Sequence, residues 1–225
     1  MDVYLVPIGP DRYELYCEVP DEPEEPIEEA PAGFVKRMKQ RFSAVLAEAE
    51  RERHRSHTEQ PRGALARAKA YTLRYVAENI AEQRLLWHLR RQESACLYFP
   101  DDLDDRRATT LLRRQLGRDF EKHRFWLIVD SVGFVASGAL VLLPGPNIVA
   151  YYFAFRMVGH YLSLGGARKG LKTVTWTSEQ SPPLSELRRA FGLAADERER
   201  RVHDVANALK LEHLVKFFER MAITP

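Results

Sequence analysis

The sequence predicts a mainly α protein with a small antiparallel β-element, in which amphipathic helices accompany a two-helix apolar hairpin placed in a membrane. Three observations carry this expectation. Two long apolar runs flank "PGPN" in a chain with 29% charged residues. Elsewhere, large apolar residues recur at helical spacing between charged ones. Short segments rich in Val, Tyr and Leu open the chain.

Taken in order, "VYLVPIG" and "YELYCEV" are separated by "PDR", which suits two strands joined by a turn, so residues 1–19 read as a β-hairpin. "PDEPEEPIEEAP" offers one large apolar residue among Pro and Glu, too little to offset its ordering entropy, and 20–31 reads as a flexible acidic linker. Residues 32–124 read as a helical region. Within it, Phe34, Met38, Phe42, Val45 and Leu46 mark one amphipathic helix, and Leu65, Ala68, Thr72, Val76, Ile80, Gln83 and Trp87 a second. "SACLYF", 94–99, supplies a third strand, since one hairpin is marginal alone.

"DDLDD" then loads a helix start with carboxylates, which favours the positive end of the dipole and supplies an N-cap. The stripe Ala108, Leu111, Leu112, Gln115, Leu116, Asp119 and Phe120 continues without a breaker into the first apolar run, predicting one helix over about 101–143. Residues 166–225 read as a C-terminal strand, "KTVTWTSEQ", and amphipathic helices. "SPPLSELRRAFG" has Pro at its start and Gly at its end, and "DERE" has the spacing of a capping box. Val202, Val205, Leu209, Leu214, Val215, Phe218 and Met221 mark one or two closing helices.

The apolar hairpin spans 125–165. "FWLIVDSVGFVASGALVLL" and "IVAYYFAFRMVGHYLSLG" are each close to a spanning length. Apolar residues favour insertion by roughly 0.3 to 0.6 kcal/mol each, and a central charge opposes it by about 3 kcal/mol. The first run therefore inserts favourably, and the second, with Arg156 near its middle, enters only with the first. Pro144 and Pro146 stop the first helix, Gly145 permits reversal and Asn147 caps the next helix. "RRQLGRDFEKHR" and "ARKGLK" flank the hairpin with positive charge, which puts both termini on the cytoplasmic or matrix side.

Ionisable residues inside such a hairpin mark function or mutual pairing. Folding the runs about Gly145 and Pro146 sets Asp130 level with His160 or Tyr161. Arg156 lies about 6 Å along the axis from His160 on the same face. Asp130, Arg156 and His160 are thus candidates for an ion or proton pathway, with Asp130 and His160 together exchanging a proton near neutral pH and Arg156 keeping Asp130 ionised. Mutual neutralisation that lets the hairpin insert is the alternative role.

Thirty-four basic residues against 32 acidic ones, mostly interleaved, do not form a nucleic-acid stripe. Cys17 and Cys96 are too few for a disulfide framework or a thiolate metal centre, and both fit strands as small apolar residues. His54, His57, His203 and His213 have no metal-ligand spacing and read as surface residues. No phosphate loop, nucleophile elbow or paired catalytic carboxylates occur, so no enzyme, cofactor or metal is expected. The first residues lack the pattern of a secretory or transit segment, and the start reads as the mature start.

"HRFWLIVDSVGF", "LPGPNIVAYYFAFRMVGHYLSLGGARKG" and "VYLVPIGPDRYELYC" together resemble the mitochondrial K+/H+ exchange-related family, most specifically at Pro144 to Asn147, Arg156, His160, Tyr161 and Gly165. The resemblance implies a protein needed for potassium–proton exchange at an inner membrane, as transporter component or regulator. It brings no catalytic residues to carry over. Without a presequence, a bacterial cytoplasmic membrane is the expected home, and the mitochondrial inner membrane in a eukaryote. Expected partners are membrane lipids, potassium ion and proton, with a second copy or a membrane protein, because one hairpin is too small for an alternating-access site. A membrane-anchored scaffold without transport of its own is the rival expectation.

Overall fold

The structure, a computed structural model, describes residues 1–18, 85–138 and 148–221. The described elements are β1 (Asp2–Gly9), β2 (Arg12–Tyr16), β3 (Ser94–Phe99), α1 (Asp105–Ser137), α2 (Ile148–Lys172), β4 (Thr175–Gln180), α3 (Pro182–Ala190), α4 (Ala195–Leu209) and α5 (Leu214–Met221), with a helical run at 85–89 ahead of β3. The acidic linker at 20–31, the first amphipathic helix, the start of the second, and the turn residues Pro144, Gly145, Pro146 and Asn147 lie outside the described residues. The chain divides into two compact units: Met1–Pro20 with Leu85–Arg124 and Leu162–Pro225, and Asp21–Arg84 with Phe125–Tyr161.

In the first unit the strands form a four-stranded sheet in the order β2-β1-β3-β4. It is mixed, which corrects the antiparallel expectation: β1 and β2 pair antiparallel, whereas β1 with β3 and β3 with β4 pair parallel. The reason is connection length. A short turn joins β1 to β2, but α1 and α2 intervene between β3 and β4, and a helical crossover returns the chain in the same direction. β1 is apolar on both faces. Val3 and Leu5 pack with Leu86, Leu89, Ala108, Leu112, Leu116 and Ala167, while Val6 and Ile8 pack with Leu184, Leu187, Val202, Val205, Leu214 and Phe218. Helices thus cover both faces of the sheet at β1, which explains why β1 reads as a nearly continuous apolar run.

Pro7 lies opposite Tyr13 and has no N–H to give. The odd-numbered residues of β1 turn their backbone groups toward β3, so the Tyr13 carbonyl faces away from β1, and Gln115, buried on α1, donates to it from Nε2. The periodicity of α1 follows the expected stripe, with Ala108, Leu112, Gln115 and Leu116 all buried. Asp104 caps its start by accepting from the Arg107 N–H at 2.7 Å. α4 starts differently from the capping-box reading: Ala194 is its N-cap, without a side-chain bond, and Asp196 falls inside the first turn, where it meets the helix dipole.

Close helix packing in this unit depends on small residues. A Cβ on Gly166 would collide with the Leu86 carbonyl oxygen, and one on Gly170 would lie 2.5 Å from Leu89 Cδ2. Ser163, one turn before Gly166 or Ala167, accepts a 2.9 Å hydrogen bond from Trp87 Nε1. His213 is not a free surface histidine: Glu18 Oε1 lies 2.7 Å from its Nδ1 and accepts from its backbone N–H at 3.0 Å.

The expected membrane-spanning apolar hairpin is not seen among the described residues. Among the described residues, no helix is long and apolar enough to cross a membrane. The described apolar part of α1 runs from Phe125 to Ser137, roughly 20 Å against the roughly 30 Å of a hydrocarbon core. α2 is longer, but Arg156, His160, Arg168, Lys169 and Lys172 interrupt its apolar character.

Candidate functional site

The second unit takes its described residues from the end of α1 and the start of α2. Local spacing sets the site. Trp126 and Asp130 are one turn apart on α1, and Tyr152, Arg156 and His160 succeed one another at four-residue steps on α2, so each set shares a helix face. The backbones approach closely at Gly133, where a Cβ would lie 2.5 Å from Cε1 of Phe153. That approach brings the two polar faces together.

Asp130 is buried, with 1% of its surface exposed. Its Oδ2 accepts from Arg156 Nε at 3.2 Å and lies 3.4 Å from His160 Nε2. The Arg156 side chain is 31% exposed and that of His160 12%. A carboxylate out of water needs such partners, since an isolated buried charge is strongly disfavoured.

Arg156 is held from three more directions. Its Nη1 donates to the Tyr152 hydroxyl at 2.9 Å, and its guanidinium carbon lies 5.1 Å from the Trp126 ring centre and 5.5 Å from that of Tyr152. Burial acts against its charge, but the Tyr152 hydrogen bond and the Asp130 carboxylate outweigh it and raise the Arg156 pKa above its ordinary value. Stacking on Trp126 and Tyr152 adds an attraction that a lysine would reproduce poorly.

Asp130, Arg156 and His160, singled out from spacing alone, therefore meet at one carboxylate oxygen. The turn set Pro144, Gly145, Pro146 and Asn147 lies outside the described residues. Sequence reasoning missed Tyr152 and Trp126. The signal was present as the four-residue step from each to a charged residue, but in an apolar run both aromatic residues count only as hydropathy.

The remaining surface of these segments is apolar and open. Phe125, Ile128, Val132 and Val135 on α1 are 60%, 59%, 64% and 75% exposed, and Tyr152 and Tyr161 on α2 are exposed as well. Asp130 and Arg156 are the only Asp, Glu, Lys or Arg residues in 125–138 and 148–161, and they are paired with each other.

No curated protein and no solved structure matches this chain. A family model described as mitochondrial K+–H+ exchange-related matches residues 2–174, covering β1 to β3 and both helices that carry the cluster. By that match, the chain belongs to the mitochondrial K+–H+ exchange-related family.

Proposed function

We propose that the chain acts in potassium–proton exchange as a component or regulator of a membrane exchange system, not as an enzyme, with Asp130, Arg156 and His160 as its proton-responsive group. The observation that carries this reading is the buried Asp130 carboxylate bracketed by two cationic side chains of different titration range. Arginine stays charged at every physiological pH, whereas histidine ordinarily titrates near neutrality. Asp130 thus keeps one cationic partner at all times and gains a second when His160 is protonated. The charges sum to zero with neutral His160 and to one positive charge after proton uptake. A surplus charge in a dry site is costly, so proton occupancy is linked to how α1 packs on α2.

Potassium ion and proton are the exchanged ions in this reading. Membrane lipids and either a second copy or a membrane-protein partner complete the system, because two helices are too few to enclose an alternating-access site. The working location is a bacterial cytoplasmic membrane, or the mitochondrial inner membrane in a eukaryotic cell. A second reading, a scaffold held at the membrane without flux of its own, is favoured by the exposed Phe125, Ile128, Val132 and Val135.

Potassium-dependent proton flux in vesicles from cells expressing the chain tests both. Asp130→Asn is expected to lower the flux and flatten its pH dependence. Unchanged flux with folded protein overturns the role of the cluster. Flux that survives Asp130→Asn but falls when Val132 and Val135 are replaced by Ser selects the scaffold.

A further inference from the structure

We propose that the outer edge of β4 is a docking site for β4 of a second copy of this chain, joining two sheets across a two-fold axis. The inference rests on the first unit alone and is independent of the exchange reading. β4 closes the sheet on one side, and Thr175, Thr177, Ser178, Glu179 and Gln180 are all exposed, with Trp176 half-buried. The Thr175 N–H bonds the Glu93 carbonyl at 2.9 Å and the Ser181 N–H bonds that of Phe99 at 2.7 Å. Odd-numbered positions therefore direct their backbone groups to β3. Trp176, Ser178 and Gln180 direct theirs to the open edge.

Sheets ordinarily protect an edge with Lys, Pro, a bulge or a covering segment. β4, "TWTSEQ", has no Lys and no Pro, and its register with β3 is unbroken from Ser94↔Thr175 to Phe99↔Gln180. The opposite edge is treated differently. β2 carries Arg12 and Glu14, and the side chain of Gln115 occupies the Tyr13 carbonyl. Among the described residues nothing pairs with the outward backbone groups of β4, and such an edge recognises another extended strand; the register of β4 against its own copy identifies which one.

Identical strands related by a two-fold axis pair antiparallel. Of the registers that join outward residues to outward residues, the one centred on Ser178 sets Ser178 against its own copy and Trp176 against Gln180. It satisfies all three outward residues with about six hydrogen bonds, two per pair. Glu179, the single charge of β4, then faces Thr177 of the partner strand. Shifting the centre to Glu179 sets the two carboxylates against each other, and shifting it to Thr177 leaves Gln180 unpaired. The strand is thus self-complementary in one register.

Sedimentation of the full chain over micromolar concentrations tests this. The expected result is a reversible dimer. Thr177→Glu places like charges opposite each other twice and is expected to raise the dimer Kd about tenfold. Adding Glu179→Lys is expected to restore it, because the charges that face each other across the two strands are then opposite in sign. Ser178→Pro removes an outward N–H, leaves the β3 ladder intact and is expected to give monomer. Circular dichroism and melting temperature check that each variant is folded. A folded wild-type monomer, or a dimer indifferent to Thr177→Glu and not rescued by charge reversal, overturns the proposal.

Discussion

Arg156 Nε lies 3.2 Å from Oδ2 of Asp130, and the two residues belong to different helices. This pair, with His160 at 3.4 Å, holds the only carboxylate of the described second unit out of water. Removing one member strands the other. Arg156→Met is expected to destabilise the chain by about 3 kcal/mol at pH 8. Asp130→Asn combined with Arg156→Met should recover most of it, since no unpaired charge remains. Urea melts of the two single variants and the double variant close the cycle.

Gly166 faces backbone, Gly133 faces a ring and Gly117 faces nothing within 4 Å. The same substitution by Ala should therefore have three outcomes. Gly166→Ala is expected to cost about 3 kcal/mol, because the Leu86 carbonyl cannot yield without moving its helix. Gly133→Ala should cost about 1 kcal/mol as the Phe153 ring shifts. Gly117→Ala should stabilise α1 by about 0.5 to 1 kcal/mol. Thermal melts rank them.

Helix starts offer a second matched comparison. Asp104→Ala removes the 2.7 Å bond to the Arg107 N–H and is expected to cost about 1 kcal/mol. Ala194 already has the extended backbone of an N-cap, φ −60° and ψ 156°, and forms no side-chain cap. Ala194→Asp is expected to stabilise α4 by about 0.5 to 1 kcal/mol, read as a raised melting temperature.

Tyr98 stacks on Tyr4 across β3 and β1, with ring centres 5.1 Å apart. Burial, reinforced by the neighbouring Cys96 thiol and Asp2, pushes its hydroxyl up to about 12. A raised pKa means that the folded state keeps a proton that the unfolded chain has already released. Tyr98 thus contributes full stability below its ordinary value near 10, and the contribution is lost as pH rises toward about 12. Tyr98→Phe is expected to make stability less dependent on pH across that window. Denaturation midpoints measured from neutral to strongly alkaline pH check this.

Local patterns determined much of this protein in advance. The Val- and Tyr-rich opening, the "PDR" reversal, the stripe from Ala108 to Leu116 and the Pro-led helix at Pro182 each need only near neighbours, so their periods can be read along the chain. The meeting of Asp130 with Arg156 and His160 was legible for the same reason: helical spacing and a fold-back point set which residues face each other. Tertiary structure alone decided the parallel pairing of β3 with its neighbours, because strand order depends on where long connections return. It decided that Gly166 must admit the Leu86 carbonyl and that Gln115 bonds the Tyr13 carbonyl. It also decided the fate of the apolar runs. Hydropathy counts how greasy a segment is, whereas helix length, charge and packing decide whether that surface crosses a bilayer, fills a core or stands open, as Phe125, Ile128, Val132 and Val135 do here.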